Sequence, residues 1–316
     1  MVCKQSEIKI FAGKSGKDFA EKICRFLGLE LGKSHSITFS EGNTFVKVEE
    51  PVRDTDVYLV QPVALDPNND FMELLFWIDA FKRASANSIT VIMPWFSYSK
   101  ADKKDEPRVS IRARVCADCI EVTGADRIVT MDLHSPQIQG FFKIPVDHLY
   151  ARPVICDYIA EKKLTDYVIA SPDAGFAKDA RRYSSMLGVP TVIGDKERKS
   201  NDEKAEILEI IGEVRNKNVI IVDDFTTTCR TLDNMARHLK ELGALDIYAC
   251  VSHGLLQEKG LEILDNSPIK ELITTDSIHN PIALGHPKLT TLSVAPLFAE
   301  VIRRIHNRET LSVLFD

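Results

Sequence analysis

The chain has 316 residues, with 40 Lys and Arg against 46 Asp and Glu, which gives a formal net charge of -6. This length favours about two domains, each large enough for its own hydrophobic core. The acidic balance argues against a nucleic-acid-binding surface, and no apolar stretch approaches the roughly 20 residues that span a bilayer. We therefore expect neither a nucleic-acid partner nor a membrane partner, and we expect any phosphate ligand to be small.

The cysteines are seven in number and are scattered through segments of helical or extended character. An odd, dispersed set favours reduced thiols over a disulfide framework. Residues 1–6 are not followed by the hydrophobic core of a secretion signal, so we expect a cytoplasmic protein. The pair Cys116 and Cys119 lies in a helical pattern with no second pair nearby, which favours core packing over zinc or redox chemistry.

Short apolar segments and helical patterns alternate along the first half of the chain. Segments of strand character occupy 8–11, 57–60, 89–93 and 127–131. Helical periodicity lies between them, around 17–27, 70–85 and 110–123. The alternation predicts an α/β domain over 1–150, with a parallel sheet covered on both faces.

The same alternation restarts near residue 151 and predicts a second α/β domain over 151–316. Its expected strands are 167–170, 189–193, 219–222, 247–251 and 272–275, and helical spacing resumes at 231–239. The segment 295–315 is mostly amphipathic, and we expect it to form a helix that packs back on the first domain. The chain contains no Gly/Ser-rich linker, so we expect the two halves to be closely apposed.

The fourth strand of the first half ends at Asp132-Leu133-His134. In extended backbone the side chains of Asp132 and His134 would point the same way and could hold one divalent cation or its waters. A lone histidine at the end of a strand is more often a hydrogen-bonded structural residue. The residues themselves leave both interpretations open.

A second polar segment follows the apolar run 219–222, where Asp223 and Asp224 precede a turn rich in threonine. We expect this turn to face the carboxyl edge of the sheet, where α/β folds bind ligands. Free amides at a helix start can hold a phosphate, and the two carboxylates can accept hydrogen bonds from vicinal sugar hydroxyls. The pattern indicates a sugar phosphate, and the alternative is a strand with acidic residues at its end and a Thr helix cap.

The string from Asp132 to Asp147, DLHSPQIQGFFKIPVD, resembles the signature of the ribose-phosphate pyrophosphokinases. The resemblance extends along nearly the whole chain, at 72–75, 98–105, 171–175, 196–199 and 303–307. It implies two tandem type I phosphoribosyltransferase-like domains, each with a mainly parallel sheet flanked by helices. The first would be the ATP side, and the second would bind ribose 5-phosphate.

The reaction that the resemblance implies is transfer of the β,γ-diphosphate of ATP to the 1-hydroxyl of ribose 5-phosphate, which gives 5-phosphoribosyl 1-pyrophosphate and AMP. Phosphoryl-type transfer depends mainly on alignment and charge neutralisation. Lys196 and Arg198 would contact the transferring diphosphate. Magnesium would be the cofactor, near His134, Asp173 and Asp132. We identify no general base.

The ATP side would use Phe39 to stack on adenine and Glu41 to read it. From the residues alone Phe39 could also be a core residue, since Ile37 shows the same strand character. The remaining ATP-side residues by resemblance are Asn43, Lys100, Ala101, Asp102, Lys103 and His134. The ribose 5-phosphate side would comprise Asp223, Asp224, Thr227, Thr228, Cys229, Arg230 and Thr231.

Several positions depart from the family pattern. Thr227 stands in place of an Asp, and Arg230 in place of a Gly at which we expect the backbone to bend tightly around the phosphate. Phe176 replaces a Gly in the pyrophosphate loop, and its side chain is expected to restrict access. The other departures are Asn43 for Glu, and Lys100 with Ala101 for an Arg-Gln pair.

These departures keep two alternatives open beside an active pyrophosphokinase. One is a catalytically weak regulatory subunit that assembles with an active relative. The other is a type I phosphoribosyltransferase, which leaves the first 150 residues without a role. The resemblance also implies homodimers assembled into a hexamer, with phosphate and nucleotide effectors at a subunit interface.

Overall fold

A computed structural model describes residues 6–197 and 206–314 of the chain. These residues fall into two compact units. Unit 1 comprises the described residues of Met1–Tyr150, Ser277–His279 and Ser293–Asp316. Unit 2 comprises those of Ala151–Asp276 and Asn280–Leu292.

Unit 1 is built on a five-stranded, all-parallel sheet. Its strands, in spatial order, are β1 (Ile8–Ala12), β4 (Asp56–Val60), β5 (Ser88–Met93), β6 (Arg127–Met131) and β7 (Val146–Leu149). A separate antiparallel hairpin is formed by β2 (Ser34–Thr38) and β3 (Thr44–Val48). The helices of unit 1 are α1 (Lys17–Leu27), α2 (Pro67–Arg83), α3 (Arg112–Thr123) and α8 (Ala295–His306).

The core of unit 1 forms because its central strands are apolar at successive positions, as a sheet covered on both faces requires. Val57–Val60 is buried throughout. An aromatic group continues this core between sheet and helix: Phe81 of α2 lies 4.7 Å from Phe11 and 5.7 Å from Trp77 between ring centroids. Truncating one such ring to Ala typically costs about 3–5 kcal/mol.

The C-terminal helix α8 packs against α1. Phe298 meets Phe19 edge-on, with ring centroids 5.3 Å apart and an interplanar angle of 82°. The helix ends at His306, so the amphipathic pattern extends beyond the regular helix, into a 3-10 turn at Ser312–Leu314. No helix among the described residues is long and apolar enough to cross a membrane.

Unit 2 contains a seven-stranded sheet that is parallel except at one edge, where β10 runs antiparallel to β9. Its strands, in spatial order, are β10 (Glu206–Ile211), β9 (Thr191–Glu197), β8 (Tyr167–Ser171), β11 (Asn218–Thr226), β12 (Ile247–Gly254), β13 (Ile269–Thr275) and β14 (Leu289–Leu292). The helices are α4 (Arg152–Glu161), α5 (Ala177–Leu187), α6 (Arg230–Glu241) and α7 (Glu258–Asn266). Mainly parallel sheets flanked by helices in both halves confirm the predicted fold class.

The nine strands predicted from apolar runs are all present. The additional strands are β2, β3, β7, β10 and β14. Of these, β2, β3 and β14 were not predicted because they carry no fully buried residue. The strands β7 and β14 are also short, with only four residues each. The helices without a specific prediction are α4, α5 and α7, and α2 begins at Pro67, three residues before the predicted start.

Candidate active site

The hairpin tip of unit 1 presents an exposed aromatic ring. Residues 39–43 join β2 to β3, and the loop is closed by hydrogen bonds from Phe39 N to Asn43 O at 2.8 Å and from Gly42 N to Phe39 O at 2.9 Å. Gly42 has φ +92°, a conformation that a side chain would strain. Phe39 is 45% exposed, so its interpretation as a core residue is wrong.

Polar groups that can read a base lie beside that ring. The Phe39 and Phe45 rings are 6.2 Å apart between centroids, and the Asn43 side-chain amide lies 3.5 Å from a carboxylate oxygen of Glu41. The Glu41 carboxylate also accepts from the Ser40 hydroxyl at 3.4 Å. One five-residue loop thus combines an aromatic face with an amide and a carboxylate, the groups that bind a flat heterocycle.

The chain that follows β5 carries the next group of predicted ATP-side residues. The Lys100 ammonium lies 5.5 Å from the centroid of the buried Trp95 ring, a cation–π contact. Ala101 is 8% exposed, and its backbone joins the 3-10 turn 97–100 to α3, because Ala101 N donates to Tyr98 O and Ala101 O accepts from Ala113 N. Both backbone polar groups of Ala101 therefore already have partners within the chain.

Asp102 and Lys103 follow at the start of the connection to α3. The side chain of Asp102 is half-buried and that of Lys103 is exposed. Lys103 therefore presents its charge to solvent, and a lysine on a surface loop can reach an anionic ligand by changing rotamers.

The strand β6 ends before Asp132, and this corrects the metal argument from spacing. Asp132 has φ +39°, outside the extended region, so strand alternation does not place its side chain on the same side as that of His134. The segment is instead fixed by the neighbouring strand, where Asp132 N donates to Leu149 O at 3.0 Å and Leu133 N donates to His148 Nε2 at 2.9 Å. His134 is exposed.

In unit 2, the turn after β8 is built around Asp173. The Ser171 hydroxyl donates to Asp173 O at 2.7 Å, and Phe176 N donates to Asp173 Oδ1 at 3.2 Å. A Cβ on Gly175 would lie 3.1 Å from that same oxygen, so a side chain there would crowd it. Phe176 itself has φ -90°, which any residue adopts, and the missing second glycine therefore causes no backbone strain.

The acidic pair lies within β11, because this strand continues to Thr226 rather than ending before Asp223. Asp224 N donates to Asp223 Oδ1 at 3.0 Å, and Phe225 N donates to Asp224 Oδ1 at 2.9 Å. Burial raises the pKa of Asp223 well above its usual value, and the negative charges of Asp224 and Asp173 raise it further. The ends of β8 and β11 therefore bring carboxylates close together, where hydroxyl donors or a cation would favour the ionised form.

The turn between β11 and α6 is tight at Cys229. This residue is buried and has φ +57°, its N donates to Thr226 Oγ1 at 3.1 Å, and its O accepts from Asp233 N at 2.8 Å. Arg230 is instead the first residue of α6 and is exposed. The expectation that Arg230 stands at the tight bend is wrong, since the left-handed residue precedes it.

This arrangement produces an amide-rich helix start in front of the acidic pair. Arg230 and Thr231 occupy the first turn of α6, where backbone N–H groups lack intrahelical acceptors. Thr227 and Thr228 lie half-buried in the turn. The combination of helix-start amides, hydroxyls and one guanidinium is suited to a phosphate group.

A second segment, which runs from the end of β12 into α7, holds this turn in place. Leu255 N donates to Thr226 O at 2.9 Å, and Gln257 N donates to Thr227 O at 3.3 Å. A Cβ on Gly260 would lie 2.6 Å from Thr227 O, closer than real Cβ atoms approach. Gly260 therefore permits the close approach of α7, and sequence reasoning missed it because α7 itself was not predicted.

The predicted catalytic lysine lies near the carboxyl end of β9, and the predicted catalytic arginine follows that strand in sequence. Lys196 belongs to that strand, and its backbone pairs with Ile207 of β10. Because β9 lies next to β8, its carboxyl end is at the same sheet edge as the Asp173 turn. The side chain of Lys196 and the whole of Arg198 lie outside the described residues.

Comparison with known proteins gives the same assignment along the whole chain. The family model of the N-terminal domain of ribose phosphate pyrophosphokinase matches residues 8–124, and that of the phosphoribosyl synthetase-associated domain matches residues 178–316. The ribose-phosphate pyrophosphokinase of Oceanobacillus iheyensis is 44% identical over 313 residues, covering 99% of this chain and 98% of the relative. That of Clostridium perfringens is 45% identical over 312 residues, covering 98% of each.

The chain belongs to the ribose-phosphate pyrophosphokinase family. A solved structure supports the assignment: phosphoribosylpyrophosphate synthetase from Mycobacterium smegmatis superposes with a TM-score of 0.89 at 35% identity, covering 96% of this chain and 100% of that one. The predictions of the family and of a transferase are confirmed. Neither the regulatory subunit nor the phosphoribosyltransferase is favoured, because the relatives match over both halves and carry the pyrophosphokinase name.

Two further residues support the site from inside unit 1. His148 is buried and accepts the Leu133 amide, which holds the start of the signature string. Glu73 of α2 is 3% exposed and accepts the Lys14 amide. Glu73 lies in a segment that the resemblance includes and His148 directly follows one, but no role followed for either until the backbone contacts were visible.

Proposed function

We propose that this pyrophosphokinase transfers the β,γ-diphosphate of ATP to the 1-hydroxyl of ribose 5-phosphate, with 5-phosphoribosyl 1-pyrophosphate and AMP as products. The observation that carries the substrate assignment is the turn of unit 2, where Cys229, in the left-handed conformation, follows the half-buried acidic pair Asp223 and Asp224 and directly precedes the first turn of α6. The family membership supports the reaction type.

Ribose 5-phosphate occupies the α6 end of unit 2 in this proposal. Its phosphate accepts hydrogen bonds from the amides of the first helical turn and from the side chains of Thr228, Arg230 and Thr231. Asp223 and Asp224 accept hydrogen bonds from the 2- and 3-hydroxyls. Burial raises the pKa of Asp223, and sugar hydroxyls that donate to its carboxylate would act against this by favouring the charged form.

ATP occupies the carboxyl edge of unit 1. Phe39 stacks on the adenine. Along the edge of the base, the Glu41 carboxylate accepts hydrogen bonds and the Asn43 amide donates them. Lys100 and Lys103, with Asp102 and the Ala101 backbone, lie along the chain that approaches the triphosphate. An aromatic platform that is half exposed and a nearby carboxylate–amide contact support the base-binding part of the proposal.

Magnesium is the proposed cofactor, with Asp132, His134 and Asp173 as candidate contacts. Within the described residues no group of three His, Cys, Asp or Glu side chains could hold a metal by itself. This fits magnesium, which keeps several waters and usually binds through one or two carboxylates plus substrate phosphates. When bound, the ion would neutralise charge on the triphosphate.

The chain's own residues perform the remaining steps. Asp223 and Asp224 orient the ribose so that its 1-hydroxyl faces the β-phosphorus, and the helix start fixes the 5-phosphate. Lys196 and Arg198 offset the negative charge around the diphosphate while its bond to the ribose oxygen forms and its bond to AMP breaks, with the electron pair leaving on the AMP oxygen. These two residues are assigned by resemblance to the family motif.

The direct test is AMP formation from ATP and ribose 5-phosphate with magnesium, using the purified chain alone. We expect a stoichiometric yield of AMP and 5-phosphoribosyl 1-pyrophosphate. Activity that appears only when a second, related subunit is added would support the regulatory-subunit alternative. Release of pyrophosphate from 5-phosphoribosyl 1-pyrophosphate in the presence of a free base would support a phosphoribosyltransferase.

We also propose that the enzyme is a cytoplasmic homo-oligomer, with dimers assembled into a hexamer and with phosphate and nucleotide effectors. The six cysteines of the described part of the chain are free, in keeping with a reducing compartment. Light scattering on the purified protein measures the assembly, and a monomeric mass would contradict it.

A further inference from the structure

The loop that follows β1 is pressed against the end of β4. A Cβ on Gly13 would lie 1.9 Å from Gln61 Oε1, and one on Gly16 would lie 2.1 Å from Val60 O. Gly13 N also donates to Val60 O at 3.2 Å. The two glycines therefore set the path of the backbone that carries Lys14.

The buried side chain of Glu73 holds that backbone in place. Its carboxylate is 3% exposed, and both oxygens lie near Lys14 N, at 3.2 and 3.4 Å. The Gln61 side-chain amide donates to the same carboxylate at 3.3 Å. A buried carboxylate that loses such donors is costly, so the start of the Lys14 side chain is held in a defined place.

The other end of Lys14 reaches the hairpin. Its ammonium donates to Thr38 Oγ1 at 2.6 Å. Thr38 is the last residue of β2 and directly precedes Phe39. A short chain of contacts thus connects a buried carboxylate of α2, through the backbone and side chain of Lys14, to the base of the loop that presents the exposed ring.

The second strand of the hairpin is also attached to unit 1. Val46 and Val48 of β3 are partly buried and pack against the hydrophobic core of unit 1, whereas no described residue of β2 belongs to that packing. An isolated two-stranded hairpin is at best marginally stable in water. The Lys14–Thr38 hydrogen bond therefore restrains the strand that the core does not hold.

We propose that Lys14 is a positioning residue for ATP, because it ties the end of β2 to the carboxyl edge of the parallel sheet. This rests on the proposed role of Phe39 in binding adenine. Loss of the bond leaves the reacting groups intact but lets the loop 39–43 move, so ATP binding weakens while turnover at saturating ATP is preserved.

The test uses Lys14→Met and Thr38→Val, which each remove one partner while keeping similar volume. Lys17→Met is the matched control, since Lys17 is an exposed lysine at the start of α1. Amide hydrogen exchange across 36–46 is measured first, without ATP. We expect about two- to tenfold faster exchange in both variants, because one hydrogen bond contributes a net free energy of that size. Exchange in the Lys17→Met control should not change. Thr38→Ser, which keeps the hydroxyl, should retain slow exchange.

Steady-state kinetics then give the functional consequence. We expect KM for ATP to rise about two- to tenfold in Lys14→Met and Thr38→Val, with kcat and KM for ribose 5-phosphate unchanged. The double variant should match the single ones, because both remove the same contact.

Unchanged exchange across 36–46 in both variants overturns the proposal. If Phe39→Ala raises KM for ATP, then faster exchange in Lys14→Met and Thr38→Val with an unchanged KM for ATP also overturns the proposal. A normal KM for ATP in Phe39→Ala instead contradicts the adenine assignment, and the exchange data then still decide whether Lys14 restrains the hairpin.

Discussion

The hairpin tip of unit 1 and the α6 turn of unit 2, the two proposed binding loops, are built in different ways. The tip is exposed, and its ring is available because few contacts cover it. The turn is fixed by Thr226, Leu255 and Gln257 and is pressed against Gly260. A flat base needs an accessible face, whereas a phosphate held by backbone amides needs a backbone that is already in place.

The largest expected effect concerns Lys196, in β9, and Arg198, which follows β9 in sequence. Lys196→Ala and Arg198→Ala should each lower kcat by about a hundredfold or more, because they stabilise charge that develops only in the transition state. Lys217→Ala, before the amino end of β11, is the control. If both variants keep wild-type kcat while remaining folded, the catalytic assignment is wrong.

Arg230 tests whether the fixed turn of unit 2 uses its guanidinium. Because the left-handed bend is at Cys229, Arg230→Gly should not restore a missing conformation. We expect KM for ribose 5-phosphate to rise about tenfold to a hundredfold through loss of a charge-assisted contact. The KM of Arg230→Lys for ribose 5-phosphate should lie between those of Arg230→Gly and wild type. Higher activity in Arg230→Gly would instead show that Arg230 blocks the pocket.

Phe39 provides the corresponding test for the exposed loop of unit 1. Phe39→Ala should raise KM for ATP about tenfold, since stacking on a base is worth about 1–3 kcal/mol. The melting temperature should not change, because the ring is 45% exposed. Phe26→Ala, which removes another exposed ring in α1, should change neither KM nor stability, and an equal effect of both variants would contradict the stacking role.

A further expected effect is on the stability of unit 1, through Asp70 of α2. Burial raises the pKa of Asp70 to about 6, and the nearby Asp66 and Glu73 charges contribute. The folded state therefore binds more protons than the unfolded state between about pH 4 and 6, and the unfolding free energy falls as pH rises through that window.

Asp70→Asn removes this titration. Its unfolding free energy relative to wild type should increase by about 1–3 kcal/mol between pH 4 and 7.5, as measured by denaturant titration. Glu106→Gln, which removes an exposed carboxylate, should show no such trend. A difference independent of pH in Asp70→Asn would place the Asp70 pKa near its ordinary value.

How far the sequence predicted the molecule also differs between the two regions. Buried parallel strands such as β4 and β11 were predictable, since continuous apolar runs reflect burial on both faces. The hairpin was not, because its strands are short and half exposed and alternate weakly. Its ring was found through the family resemblance, and only the structure showed that Phe39 is exposed.

Local backbone conformation was the main limit at the site. The bend at Cys229 could not be separated from Arg230 by residue type, because neither is a glycine. Likewise the φ of Asp132 breaks the strand alternation that would have placed its carboxylate beside His134. Long-range contacts such as Gly260 with Thr227 depend on packing between elements, which no local pattern contains.

The central claim, that a fixed turn in unit 2 binds the sugar phosphate, is tested most directly by calorimetric titration of ribose 5-phosphate into wild type and Gly260→Ala. The added methyl group collides with Thr227 O and should displace the turn, whereas Gly140→Ala places a methyl group in open space. We predict at least a tenfold loss of affinity in Gly260→Ala, roughly 1.4 kcal/mol, with binding of a non-reactive ATP analogue intact and with Gly140→Ala unchanged. Equal affinity of wild type and Gly260→Ala for ribose 5-phosphate would contradict the account.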